Sequence, residues 1–170
     1  EGISIDKLLQ YINLYKPTLI GFTALTVQIK SSGFLAKEIK KQFPDILICV
    51  GGIHATVMPK ETLGEFDALD FVVCGEGEQV ILKIFDNLKK GIPLLTIKGV
   101  VTKEKTDFSF DVIKDLDSLP FSSWEELDLN KYGGIYPHRT KLELPMLTSR
   151  GCPFDCIFCT RPHGKHRRHR

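Results

Sequence analysis

Three cysteines near the end of the chain have the residue type and spacing of a metal-cluster site. Cys152, Cys156 and Cys159 form the pattern C-x3-C-x2-C. Spacings of four and three residues bring three thiolates together on one tight loop, which suits three corners of a cubane [4Fe–4S] cluster. The fourth iron then has no protein ligand, so a small molecule can chelate it and receive an electron.

A structural zinc site is the alternative for the same loop. His163 follows Cys159 by four residues, and a Cys3His tetrahedron is compatible with these spacings. Structural zinc usually uses two separated ligand pairs that clip two pieces of chain together, whereas all of these ligands lie in one loop. The pattern therefore favours the cluster, and a zinc-stapled α/β binding module without catalysis stays as the rival hypothesis.

The cysteine loop, SRGCPFDCIFC over residues 149–159, resembles that of the radical S-adenosylmethionine superfamily. In that superfamily the motif follows the first strand of a partial (β/α) barrel. The resemblance implies that S-adenosylmethionine chelates the open iron and is cleaved to methionine and a 5′-deoxyadenosyl radical. It places the backbone near Phe158 beside the adenine. It also implies a small-molecule substrate and an electron donor such as a flavodoxin or ferredoxin.

The chain before this loop alternates between buried strands and amphipathic helices. Apolar, β-branched runs predict strands over residues 18–26, 46–50, 69–73 and 98–102. Helical periodicity predicts helices from Ser4 to Pro17, over 28–43 and 59–66, and from Val80 to Gly91. This order predicts an α/β fold with a Rossmann-like, doubly wound parallel sheet.

The predicted sheet occupies one part of a longer arrangement. Residues 1–102 are interpreted as an N-terminally truncated Rossmann-like domain and the acidic stretch 103–142 as a linker. Residues 143–170, with an apolar run over 144–148, are interpreted as the first strand and loop of a C-terminally truncated barrel. We therefore expect a fragment that is inactive alone, because it lacks the barrel that would shield a radical.

Polar and glycine-rich corners follow the predicted strands. Ligands of a doubly wound sheet bind outside the carboxyl ends of its strands, and glycines there let the backbone approach a flat or anionic ligand. Taken singly, each corner could be only a tight turn or a helix start. In chain order, the corners hold Thr23, Leu25 and Thr26; Gly51, Gly52 and His54; and Gly75, Glu76, Gly77 and Glu78.

Together these corners resemble the cobalamin-binding domain of B12-dependent radical S-adenosylmethionine enzymes. The matching segments are GGIHATVMPKE, LDFVVCGEGE and DLDSLP. The resemblance implies that the corner residues contact cobalamin. Because Gly52 stands where a D-x-H-x-x-G motif has aspartate, we expect base-off cobalamin without a histidine ligand. His54 is then either a loop residue near the corrin or a buried, hydrogen-bonded histidine.

The resemblance also implies what the parent enzyme does. Methyl transfer to an unactivated carbon or a phosphorus centre is the first expectation. The alternative is a radical S-adenosylmethionine cyclase or ring-rearranging enzyme, with or without bound B12.

The bulk composition excludes several classes of protein. Five cysteines in 170 residues, with Cys49 and Cys74 alone in apolar runs, argue against a disulfide framework. A net charge of +2 gives no overall footprint for nucleic acid, and we do not expect the basic stretch from Arg161 to Arg170 to bind it. No apolar run is long enough to span a bilayer, so we expect a cytoplasmic protein.

Overall fold

The chain divides into two compact units, Glu1–Val112 and Ile113–Arg170, in a computed structural model. The structure describes residues 3–104, 109–131, 142–160, 164 and 166–170. The boundaries expected from the sequence, at residues 102 and 142, stay predictions.

The first unit is built on a four-stranded sheet. Its strands are β1 (Leu19–Thr23), β2 (Leu47–Gly51), β3 (Phe71–Val73) and β4 (Val100–Thr102), and they lie in that order across the sheet. β1 is parallel to β2, and β2 is parallel to β3. The predicted α/β, Rossmann-like fold class is therefore confirmed.

The fourth strand runs opposite to the predicted direction. β4 pairs with β3 in antiparallel fashion. Residues 92–99 lead back to the carboxyl end of β3, where the Cys74 N–H donates to the Gly99 carbonyl at 2.8 Å. The strand therefore enters the sheet from that end, which a pattern of alternating elements does not reveal.

Five α-helices connect and cover these strands. They are α1 (Ile5–Tyr15), α2 (Ile29–Gln42), α3 (Ile53–Val57), α4 (Pro59–Glu65) and α5 (Gly77–Lys90). The Ser4 hydroxyl caps α1 by accepting from the Lys7 N–H at 3.3 Å, as the sequence predicts. The short α3 was not predicted, because five residues are too few to show a helical period.

Alternate residues of each strand enter two separate apolar cores. On one face of the sheet, Ile48 and Val50 pack with residues from α2 and α4. On the other face, Cys49 and Phe71 pack with residues from α5. Helices on both faces confirm the doubly wound arrangement and explain why the strands are apolar along their whole length.

Asp70 ties the amino ends of the two central strands together. Its carboxylate accepts the Ile48 N–H at 2.6 Å and lies 2.9 Å from the Lys40 ammonium. This bond fixes where β2 starts relative to β3. Because β1, β2 and β3 run parallel, their carboxyl ends lie at one common edge of the sheet.

The described residues of the second unit contain one short pair of strands. β5 (Ser149–Arg150) lies antiparallel to β6 (Arg168–His169). The apolar run 144–148, expected to form the first barrel strand, is not assigned to a strand. Pairing with β6 begins at the Thr148 carbonyl, which accepts the Arg170 N–H at 2.9 Å, so only the last residue of that run is paired.

Two arginines of the basic end bind the segment that contains DLDSLP. The Arg168 guanidinium donates to the Ile113 carbonyl. The Arg170 guanidinium donates to the Leu119 carbonyl at 2.7 Å and lies 4.0 Å above the ring of Phe121. At these two positions the charge has a structural role within the unit.

Among the described residues, no helix is long and apolar enough to cross a membrane.

Candidate functional site

The first two corners at the carboxyl end of the sheet are joined through their backbones. The Ala24 N–H donates to the Gly51 carbonyl at 3.0 Å, and the His54 N–H donates to the Ala24 carbonyl at 3.4 Å. Gly52 has a φ of +95°, and a Cβ there would lie 2.8 Å from the Ala24 carbonyl oxygen. Only glycine allows this approach, so Gly52 is required by the contact between corners.

A side-chain contact joins the same two corners. His54 is buried, and its Nδ1 lies 3.1 Å from the hydroxyl of the exposed Thr26. Of the two interpretations of His54, the structure therefore supports the buried, hydrogen-bonded one. A contact of His54 with a corrin stays a prediction.

The second and third corners are joined by Thr56, which was not among the predicted site residues. Its hydroxyl donates to the Gly52 carbonyl at 2.8 Å and accepts the Gly75 N–H at 3.0 Å. Gly75 has a φ of +75°, and a Cβ there would lie 2.3 Å from the ring of Phe110. The one indication in the sequence was a threonine four residues after Gly52, the spacing at which a hydroxyl can bond back to a helical carbonyl.

At two glycines of this edge, the surrounding fold leaves enough room for a Cβ atom. The β1–β2 register places Thr23 beside Gly51. A Cβ on Gly51 would have its nearest neighbour at 3.5 Å, and a Cβ on Gly77 at 3.9 Å, which are ordinary contact distances. Because Thr23 is exposed, the end of β1 beside Gly51 is accessible to a ligand.

Four apolar side chains within or just after the first two corners are exposed. Leu25 is 51% exposed, and Ile53, Val57 and Met58 are each 41% exposed. At the third corner, Glu76 is buried and Glu78 is half-buried. Glycine backbone flanked by exposed apolar side chains suits a broad, flat ligand with an apolar surface, and this fits a corrin.

A cavity of about 350 Å³ lies at the opposite edge of the sheet. Asp67, Asp70 and Lys103 are among the residues that line it. It includes none of the corner residues.

The cysteine loop is described as far as residue 160. Cys152 is half-buried and Cys156 and Cys159 are exposed, with the Cys159 N–H donating to the Cys156 carbonyl at 3.0 Å. The described part of the chain contains no group of three metal-ligating side chains already placed around one point. Three thiolates in one loop are nevertheless the donor set of a [4Fe–4S] cluster with one open iron. His163, the zinc alternative's fourth ligand, lies outside the described residues.

Solved structures show the same fold. The chain superimposes with a TM-score of 0.69 on TsrM, a radical S-adenosylmethionine methyltransferase from Kitasatospora setae solved with cobalamin and a [4Fe–4S] cluster bound. Sequence identity is 19%, and the match covers 98% of this chain and 35% of TsrM.

Sequence comparisons identify the family. A model of the B12 binding domain matches residues 2–84. The chain is 31% identical over 166 residues to an uncharacterized methyltransferase of Pyrococcus horikoshii, covering 94% of this chain and 35% of that protein. Residues 2–84 of the chain therefore belong to the B12-binding domain family.

A second curated relative is named for a different reaction. The anaerobic magnesium-protoporphyrin IX monomethyl ester cyclase of Rubrivivax gelatinosus is 33% identical over 172 residues, a match that covers 94% of this chain and 30% of the cyclase. The chain thus spans about a third of the length of the curated relatives it matches.

The five cysteines of this B12-binding chain differ in how reactive they should be. Cys49 lies in the core behind α5, where burial raises the pKa of its thiol to about 11 and the charge of Asp70 adds to the effect. The thiolate is the reactive form, so a raised pKa and burial both protect Cys49.

We predict an order of alkylation for the metal-free, reduced chain. At about pH 8, a maleimide should modify Cys156 and Cys159 first and Cys152 more slowly, and should modify Cys49 only after unfolding. Because the folded pKa of Cys49 is raised, the stability that its protonated thiol contributes is present below its ordinary pKa of 9.0 and is lost as the pH rises through about 11. Peptide mass spectrometry measures the order, and rapid modification of Cys49 in the folded chain would contradict it.

Proposed function

We propose that this chain binds cobalamin along the edge formed by its three corners. We propose further that the whole protein is a radical S-adenosylmethionine enzyme that transfers a methyl group to an unactivated carbon or a phosphorus centre. The observation that carries the proposal is the single edge formed by Ala24, Gly52 and Thr56, with Gly51 and Gly77 beside it at positions where the fold itself would tolerate a Cβ. The B12-binding family match and the methyltransferase relative support it.

The edge residues have distinct roles in this proposal. Gly51 and Gly77 let the corrin and its nucleotide tail come close to the backbone. Leu25 and Ile53 offer exposed apolar surface to the macrocycle. His54 is held inside the fold at Thr26, consistent with base-off cobalamin that takes no histidine ligand from this chain. Cobalamin, when bound, supplies the methyl group for transfer.

The cysteine loop has a separate role. Cys152, Cys156 and Cys159 would hold the [4Fe–4S] cluster, and the cluster with bound S-adenosylmethionine supplies the radical. Phe158 is 89% exposed, which leaves its backbone and ring available to the adenine. A small-molecule substrate and an electron donor such as a flavodoxin or ferredoxin complete the proposal.

Cyclisation is the second candidate reaction. The 33% identity to the Rubrivivax gelatinosus cyclase favours it, since that relative matches the chain over the same extent as the methyltransferase. The two candidates predict different products. S-Adenosylhomocysteine forms only if the methyl group leaves S-adenosylmethionine, so its accumulation alongside 5′-deoxyadenosine supports methyl transfer, and its absence during turnover supports cyclisation.

The open glycines provide a test of the cobalamin site. G77A places a methyl group at the open edge while improving helix propensity at the start of α5. We expect it to keep or raise stability, by up to about 1 kcal/mol, because alanine is the better helix former. We expect its affinity for hydroxocobalamin to fall about tenfold, a loss of about 1.4 kcal/mol, because the added methyl blocks close approach.

The matched control is G64A in α4. A Cβ there meets nothing within 4 Å, and the position gains the same helix propensity. Titration of both variants with hydroxocobalamin, followed by absorbance, should show weakened binding only in G77A. Equal affinity of G77A and G64A would place cobalamin away from this edge, and no retained corrin absorbance in the wild-type chain would refute the proposal.

The cluster assignment is tested on the whole protein after anaerobic reconstitution. We expect about four irons and four sulfides for each chain, as a [4Fe–4S] cluster requires. The triple variant C152A/C156A/C159A should retain neither, while C74A, which alters a buried cysteine outside the loop, should retain both. Stoichiometric zinc without iron or sulfide would establish the zinc-stapled alternative.

A further inference from the structure

Thr56 contacts two corners that are far apart in sequence. It is 6% exposed and lies in the short helix α3. Its hydroxyl both donates to Gly52, in the second corner, and accepts from Gly75, in the third. A threonine that bonded only within its own helix would use the first of these bonds alone.

Gly75 is held from two sides. On one side its N–H is bound by Thr56 at 3.0 Å, and on the other the Phe110 ring leaves no room for a Cβ. The next residues, Glu76 and Gly77, begin α5 and lead to the open edge. The Thr56 hydroxyl therefore joins the third corner to the second at Gly75 itself, beside the longer contact from the Cys74 thiol to the Ala55 carbonyl at 3.7 Å.

We propose that Thr56 is a positioning residue that couples the second and third corners and thereby sets the affinity of the edge for cobalamin. This inference rests on the proposed cobalamin site. The proposed role requires no contact between Thr56 and the ligand. It fixes the distance between the two glycine corners before the ligand binds, so that binding does not have to order them.

The chain contains a matched control for this hydroxyl. Thr62 in α4 is also buried, and its hydroxyl donates to the Met58 carbonyl at 2.6 Å. That bond has the same i to i−4 spacing but stays within neighbouring helical residues and joins no corners. Thr→Val at either position removes one buried hydroxyl with little change in shape.

The experiment compares T56V, T56S and T62V by titration with hydroxocobalamin and by amide hydrogen exchange. We expect T56V to bind about tenfold more weakly than wild type, because the Gly75 N–H loses its acceptor and the third corner loses its fixed position. T56S keeps the hydroxyl and should restore binding. T62V should bind like wild type. In the absence of cobalamin, the Gly75 amide should exchange faster in T56V alone.

The other possible results of this experiment separate failure of the coupling from failure of the cobalamin site. If T56V and T62V bind equally well, or if exchange at Gly75 is unchanged in T56V, the coupling is refuted. If the wild-type chain binds no cobalamin, the proposed function fails, whatever the exchange data show. If circular dichroism shows that T56V does not fold, the pair T56S and T56A makes the same comparison, because those two variants differ only in the hydroxyl.

Discussion

The close approach of Gly52 to Ala24 is the contact on which the rest of the carboxyl edge depends. A Cβ at residue 52 would lie 2.8 Å from the Ala24 carbonyl oxygen and 3.0 Å from its nitrogen. Backbone atoms cannot move aside as a side chain can, so the contact exists only because residue 52 is glycine. The bonds from Ala24 to Gly51 and from His54 to Ala24 both need this approach. Through Thr56, the same corner then fixes Gly75.

This constraint divides the glycines of the edge into two kinds. Gly52 and Gly75 have positive φ angles and no space for a side chain, so the fold itself accounts for them. Gly51 and Gly77 are not accounted for in this way, because a Cβ at either position meets only ordinary contacts. We explain the glycines at positions 51 and 77 by a ligand that needs close access to the backbone.

The sequence predicted those parts of the fold that depend on local pattern. Ser4 caps α1, Gly91 follows α5, and the apolar strands are covered on both faces, all from residue type and period. The predicted parallel direction of β4 was wrong, because that direction depends on where residues 92–99 run. The sequence also did not predict the double role of Thr56, because the hydroxyl's second partner, Gly75, is 19 residues away in the chain. The motifs indicated which corners are candidates for ligand binding, and the three-dimensional contacts showed how these corners are joined.

The central claim, that the three corners form one cobalamin site, is tested most directly by locating the ligand on the chain. Amide resonances of the ¹⁵N-labelled chain can be compared with and without hydroxocobalamin. If the three corners form one site, shifts will concentrate in residues 23–26, 51–56 and 75–78 and will spare residues 67–70 and 102–104 at the opposite edge. Shifts confined to the opposite edge, or saturable binding that leaves the three corners unchanged, would contradict it.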